Sequence, residues 1–239
     1  MSAEPPVLPP VAPAVDAAVS PPVASRAIER FASVTPAGCY YAIESARPTP
    51  ERRRLIELLQ SPETQMARAL DAATDETASL AVLIEAGFVV LVDESEQLPE
   101  GPLSDHMPIL LPALSERGRA VLTESRQGLF LDYVGVAIDE AEELAVLASR
   151  LRATADRANT LLADRLGIDS RSFGIIDPAG NSEIGFWPLH IGQNVFTLTI
   201  IGIPRFNSPE FRRLVWVLSE RYGQTLPQHD DGKPSMPPA

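Results

Sequence analysis

Histidine, lysine and cysteine, which often carry acid–base or nucleophilic catalysis, are scarce in this sequence. The chain of 239 residues contains three histidines, His106, His190 and His229, and one cysteine, Cys39. Its single lysine, Lys233, lies in a polar, proline-rich segment at the C-terminal end. We therefore expect neither a Schiff-base lysine nor a phosphate-binding lysine in the folded part of the chain.

Motifs that would arrange such residues for chemistry are also missing from the sequence. It contains no Gly-x-Ser-x-Gly nucleophile turn, no His-Glu-x-x-His or paired Cys-x-x-Cys metal spacing, and no Gly-x-x-x-x-Gly-Lys-Ser/Thr phosphate loop. Four acidic residues fall within 139–143, but they stand at the start of a predicted helix, where negative charge stabilises the first turn. The sequence predicts a protein that is not an enzyme and binds no metal or cofactor; an enzyme of unknown type is the remote alternative.

Cysteine usage and hydropathy indicate where the protein works. A single cysteine excludes an intrachain disulfide and suits a reducing compartment, and we interpret Cys39 as a small packed side chain rather than a reactive thiol. No apolar run reaches the roughly 18 residues needed to span a bilayer, and the N-terminus lacks the basic start of a signal peptide. We expect a cytoplasmic protein that does not bind membranes.

The charge of the chain bears on its partners. The formal net charge is −12 and the isoelectric point is about 4.7. The electrostatic field of this negative charge repels phosphate backbones and anionic lipid headgroups. Nucleic acid and membrane surfaces are therefore not expected as partners.

Both ends of the chain are predicted to be disordered tails. Residues 1–26 are rich in proline, alanine and valine, and residues 224–239 are polar with four prolines. Neither segment can bury enough apolar surface to offset its ordering entropy.

Residues 27–98 are predicted to form a small helical domain. We expect a strand over 38–43, helices beginning near Pro50 and Pro62, a third helix around Leu80–Ile84 and a strand over 88–92. This order loosely resembles a winged-helix module, which makes a transcriptional regulator the main alternative function. Residues 28–96, however, hold twelve acidic residues and six arginines. We interpret the basic run 52–54 as a solvated face with local carboxylate partners.

Residues 103–223 carry the stronger pattern, an alternation of helices and strands. The predicted elements are a helix over 103–117, strands over 119–124 and 129–134, a long helix over 139–166, strands over 172–176, 184–189 and 195–202, and a helix from Pro209. The long helix has apolar residues at helical spacing, which predicts one buried stripe; they are Leu144, Leu147, Ala148, Leu151, Ala155, Ala158, Leu161 and Leu162.

This half of the chain resembles the roadblock/dynein-light-chain family. The resemblance rests on the hairpin over 121–134 with its Gln127-Gly128-Leu129 turn, on the acidic start and alanine/leucine stripe of helix 139–166, and on Ile175-Ile176-Asp177 before Gly180. It implies an α+β fold with a five-stranded antiparallel sheet and a long central helix. In this family, homodimers or heterodimers form through the central helices and neighbouring strands.

The same resemblance implies a non-catalytic adaptor that forms a homodimer and binds a small Ras-like GTPase or a related signalling or motility protein. The residues it places at the pairing surface are Leu144, Leu147, Ala148, Leu151, Ala155, Phe173 and Ile175. An amphipathic helix on a sheet buries a similar stripe without any partner, so each of these residues could instead belong to the core.

Phe186 and Trp187 form the most unusual part of the predicted sheet, in the run 185–192. Aromatic side chains are frequent anchors at protein interfaces, so both residues are candidates for a docking site. The alternative is a strand bent at Pro188 whose aromatic rings pack under the last helix.

Overall fold

A computed structural model describes residues 31–46, 49–60, 75–94, 96–97, 100–158, 160–168 and 172–223. The two predicted tails and the helix predicted from Pro62 lie outside these residues.

The described residues form six α-helices and seven strands. The helices are α1 (Pro36–Ile43), α2 (Pro50–Gln60), α3 (Asp75–Glu85), α4 (Leu103–Ala113), α5 (Ile138–Arg157) and α6 (Pro209–Tyr222). The strands are β1 (Phe31–Val34), β2 (Val89–Val92), β3 (Arg119–Glu124), β4 (Leu129–Val134), β5 (Phe173–Ile176), β6 (Ser182–Ile191) and β7 (Asn194–Ile201).

Five of the strands form one antiparallel sheet in the order β4-β3-β7-β6-β5. Tight turns join β3 to β4 and β6 to β7, and each turn places a glycine at positive φ, Gly128 at 67° and Gly192 at 59°. The α5 helix connects β4 to β5, which are the two edge strands. The expected α+β fold, a five-stranded antiparallel sheet with a long helix, is confirmed.

The start of α5 follows from local hydrogen bonding. The Glu140 carboxylate accepts a hydrogen bond from the Ala137 backbone N–H at 2.9 Å, and Asp139 adds a second negative charge to the first turn. The helix ends at Arg157, and a π-helical turn follows over Thr160–Arg165. The predicted continuous helix to residue 166 was therefore too long, because apolar spacing continues smoothly through the change in hydrogen bonding.

The two faces of the sheet are covered by different elements. Along β3, Ala120 and Leu122 belong to the main core, together with Met107 of α4 and Phe211 of α6. Val121, which lies between them in the strand, is also buried but lies outside that core, on the face that α5 covers. The sheet is therefore the middle layer between α5 and the remaining helices.

The first strand of the chain is not where it was predicted. Residues 36–43 form α1, because the Thr35 hydroxyl accepts a hydrogen bond from the Gly38 N–H at 3.1 Å and Pro36 occupies the first helical position. The strand β1 precedes this helix and pairs antiparallel with β2. The aromatic and apolar run 38–43 was thus wrongly predicted as a strand, since the capping signal outweighs its β propensity.

The N-terminal elements share a core with the C-terminal half. Leu55 of α2 and Val34 of β1 belong to the same buried cluster as Leu214 and Trp216 of α6. The α4 helix closes this layer and ends at Ala113 rather than at Arg117, near Pro112, which lacks a backbone N–H. The winged-helix resemblance of residues 27–98 stays a prediction.

Candidate interaction surface

The α5 helix contacts the sheet through its smallest side chains. Four alanines are buried in the helix, namely Ala141, Ala145, Ala148 and Ala155. Because alanine is small, the helix axis lies close to the sheet and the larger leucines project along its flank. Leu147 is 43% exposed, and Leu144 and Leu151 are half-buried.

A row of isoleucines extends this flank across the sheet. Ile201 of β7 is the register partner of Ile184 in β6, which is in turn the partner of Ile175 in β5. Directly paired residues point to the same face of a sheet, so the three side chains lie side by side. Exposure rises along the row, from half-buried Ile201 and Ile184 to Ile175, which is 64% exposed on the edge strand.

A shallow cavity of about 380 Å³ joins α5 to this row. Leu144, Leu147 and Ile201 line it together with Val136, and charged residues surround them. At its rim, the Arg119 guanidinium lies 3.8 Å from the Glu140 carboxylate. An apolar centre with a charged rim is the usual composition of a protein interface.

Exposed apolar side chains are concentrated in one stretch of the sequence. Of the fourteen large hydrophobic residues exposed in the described chain, eight lie between residues 138 and 176. They are Ile138, Val146, Leu147, Leu161, Leu166, Ile168, Ile175 and Ile176. Scattered exposed apolar residues are normal, so this enrichment in one stretch of the sequence makes α5, the turn after it and β5 candidates for an interaction site.

The structure divides the predicted surface residues into two groups. Leu144, Leu147, Leu151, Phe173 and Ile175 are half-buried or exposed. Ala148, Ala155 and Phe186 are buried by their own chain, and Trp187 is half-buried.

Phe186 and Trp187 lie on opposite faces of β6. Phe186 is buried, and the Trp187 ring packs edge-on against Phe206 with a centroid distance of 5.0 Å, on the side of the main core. Trp187 also lies directly over Gly185, where a Cβ atom would meet the indole ring at 2.1 Å. Both rings therefore contribute mainly to packing within the chain.

Sequence reasoning missed part of the exposed group. Ile176, with 66% of its surface exposed, and the residues after α5, Leu161, Leu166 and Ile168, were not predicted as surface residues. Two adjacent isoleucines before the Asp177 turn were the available signal, because consecutive apolar residues on an edge strand cannot both face the core.

The local structure shifts the pKa of Cys39 and of Asp177. Burial raises the pKa of the Cys39 thiol to about 12. Asp177 accepts hydrogen bonds from the Asn181 side chain and from the backbone N–H groups of Asn181 and Ala179, which lowers the pKa of its carboxyl group and closes the β5–β6 turn. Within the described ranges, no three His, Cys, Asp or Glu side chains are grouped as metal ligands.

Comparison with known proteins gives one structural similarity. No protein-family model and no curated protein matches the chain. Among solved structures, the Roadblock/LC7 domain from Streptomyces avermitilis is similar, with 21% sequence identity and a TM-score of 0.37. The alignment covers 51% of this chain and 96% of that one.

In the part of the chain that the structure describes, every helix is too short or too polar to cross a membrane.

Proposed function

We propose that this protein is a non-catalytic adaptor that forms a homodimer through an α5–β5 surface and presents the dimer to a regulatory partner. The α5–β5 surface consists of Leu144, Leu147, Leu151, Phe173 and Ile175. The observation that supports the proposal is the continuous apolar row from the flank of α5 over Ile201 and Ile184 to the edge strand. In a monomer this row stays in contact with water.

A second copy of the chain fits this surface for two physical reasons. Among the described residues β5 is an edge strand, so no strand in that part of the chain pairs with the backbone groups on its outer side. Antiparallel pairing of two β5 strands about a two-fold axis would satisfy those groups and continue the sheet. The same axis would bring the exposed leucines of the two α5 helices together and remove them from water.

The class of regulatory partner comes from the family resemblance of the sequence. That resemblance implies a dimer of the kind that scaffolds or regulates small Ras-like GTPases and motility complexes. We propose a partner of this kind.

Leu147→Arg tests the dimer directly, and Leu129→Arg is its matched control. Leu129 is also an exposed leucine, but it lies on β4, the opposite edge of the sheet. A buried, unpaired arginine at an interface is strongly unfavourable, so Leu147→Arg is expected to weaken self-association at least about a hundredfold, equivalent to roughly 3 kcal/mol. Light scattering measures the mass, and circular dichroism checks that both variants are folded.

Two results would overturn the proposed dimer surface. One is a Leu147→Arg variant that is folded and associates as tightly as the unmodified chain. The other is an equal loss of association in both variants, which would move the contact away from the α5–β5 surface.

Co-purification from the native cell tests the partner class. We expect a small GTPase to co-purify with the unmodified chain. Direct binding would then be measured with the two purified proteins. If the co-purifying protein that binds directly is not a GTPase, the proposed partner class is wrong, whereas the dimer is judged by light scattering.

A further inference from the structure

A second cavity, of about 260 Å³, lies between the ends of α1 and α6, the α2 helix and the β6–β7 turn. It contains none of the residues of the α5–β5 surface. Its apolar walls are formed by Ala42, Ile43, Ile56, Ile191 and Val195. The volume lies just below the roughly 300–1,000 Å³ of ordinary ligand pockets, so only a small ligand fits.

The ionisable side chains that line this cavity are basic. Arg53 of α2, Arg126 of the β3–β4 turn and His190 of β6 line it, and no described lining residue is Asp or Glu. The whole chain carries a net charge of −12. A cavity bordered by two arginines and no carboxylate therefore runs against the composition of the protein, and it favours an anion.

The two arginines are not neutralised in the described part of the chain. Their neighbours in the 52–54 run have the carboxylate partners expected from the sequence, with Arg52 at 2.9 Å from Glu44 and Arg54 at 3.2 Å from Glu57. Among the described residues no such partner pairs with Arg53 or Arg126. One donor of the Arg126 guanidinium is held by the Gln193 carbonyl at 3.1 Å, which keeps the group beside the β6–β7 turn.

The end of α6 supplies the polar floor of the cavity. Ser219 is fully buried, lines the cavity, and has no hydrogen-bond partner for its hydroxyl within the described chain. The nearby Ser219 carbonyl accepts from the Gln60 side chain at 3.1 Å. Because the C-terminal end of a helix carries partial negative charge, this floor disfavours a multiply charged anion such as phosphate.

We infer that this cavity binds a small amphiphilic carboxylate, whose hydrocarbon part occupies the apolar walls and whose carboxylate pairs with Arg53 and Arg126. A guanidinium can bind a carboxylate through two parallel hydrogen bonds. A single monovalent carboxylate therefore suits the two arginines at the rim of the cavity. The apolar walls select for hydrocarbon bulk, and the small volume limits its length.

Amide chemical shifts of the full-length protein, titrated with hexanoate, hexanamide and inorganic phosphate, test the inference. We expect saturable shifts at Gly192, Gln193 and Asn194 with hexanoate. Hexanamide, which has the same shape without the charge, is expected to bind at least tenfold more weakly. Phosphate, which lacks the hydrocarbon, is expected to produce no saturable shift at the same amides.

Arginine substitutions locate the contact. Arg53→Gln and Arg126→Gln are expected to weaken hexanoate binding at least tenfold each, whereas Arg157→Gln, which removes an exposed arginine of α5, leaves it unchanged. The inference is overturned if hexanoate produces no saturable shift, if hexanamide binds equally well, or if the two cavity variants bind hexanoate as tightly as the Arg157→Gln control. None of these results affects the proposed dimer.

Discussion

Gly192 shows how one residue fixes the approach of two elements. It turns the chain between β6 and β7 at a φ of 59°, and a Cβ atom there would lie 2.3 Å from the Tyr222 carbonyl oxygen at the end of α6. The turn therefore needs glycine both for its backbone conformation and for its contact with the helix.

Gly192→Ala is expected to lower the free energy of unfolding by about 1–3 kcal/mol more than Gly180→Ala. Gly180 also has a positive φ, but a Cβ atom there meets nothing within 4 Å, so its replacement isolates the backbone strain. Urea denaturation of both variants at one protein concentration measures the difference. Equal losses would mean that the β6–β7 turn and α6 do not touch as described.

Cys39 provides a second test at the level of single residues. Its burial predicts that a chromogenic disulfide reagent labels the native protein no faster than the protein unfolds. The pKa of this thiol is raised from about 9 to about 12, so the unfolded chain ionises first as the pH rises. The free energy of unfolding is therefore unaffected by this thiol below pH 9 and falls between pH 9 and pH 12. Rapid labelling of the folded protein near neutral pH would contradict this environment.

At the scale of secondary structure, the small residues of α5 determine how the helix lies on the sheet. Ala148→Leu adds bulk to a fully packed contact and is expected to cost about 1–3 kcal/mol of stability. Ala153→Leu makes the same change on the exposed side of the helix and is expected to stay within about 0.5 kcal/mol of the unmodified chain. Thermal and urea unfolding measure both. Similar stability of the two variants would mean that the helix does not rest on its alanines.

The elements differ in how well the sequence predicted them. The β3 and β4 strands were predicted with their observed bounds, because alternation and a glycine turn act locally. The α1 helix was missed because the β propensity of the aromatic run conflicts with the helix cap at Thr35, and the cap determines the structure. In α5 the apolar stripe was visible, but its division into buried alanines and exposed leucines depends on how closely the helix approaches the sheet.

The two candidate sites also differ in how far the sequence could predict them. Leu147 and Ile175 were predicted from helical spacing and family resemblance, whereas the isoleucine row depends on the register of β5, β6 and β7. The second cavity could not be predicted, because Arg53, Arg126 and Ser219 are far apart in the chain and meet only after folding.

For the whole molecule, the shared core predicts a single cooperative unfolding transition. Leu55 and Val34 lie in the same buried cluster as α6, so loss of the N-terminal elements would expose the apolar side of that helix. Scanning calorimetry is expected to give one transition for the full chain. Two well-separated transitions would instead show that the predicted boundary near residue 100 divides independently folding units.

We propose that two copies of the chain associate through the α5–β5 surface. Sedimentation equilibrium of the unmodified protein, from nanomolar to high micromolar concentration, tests it most directly. The predicted result is a reversible monomer–dimer equilibrium that reaches twice the chain mass of 25.8 kDa. A mass of one chain throughout that range, with the protein folded, would contradict the claim.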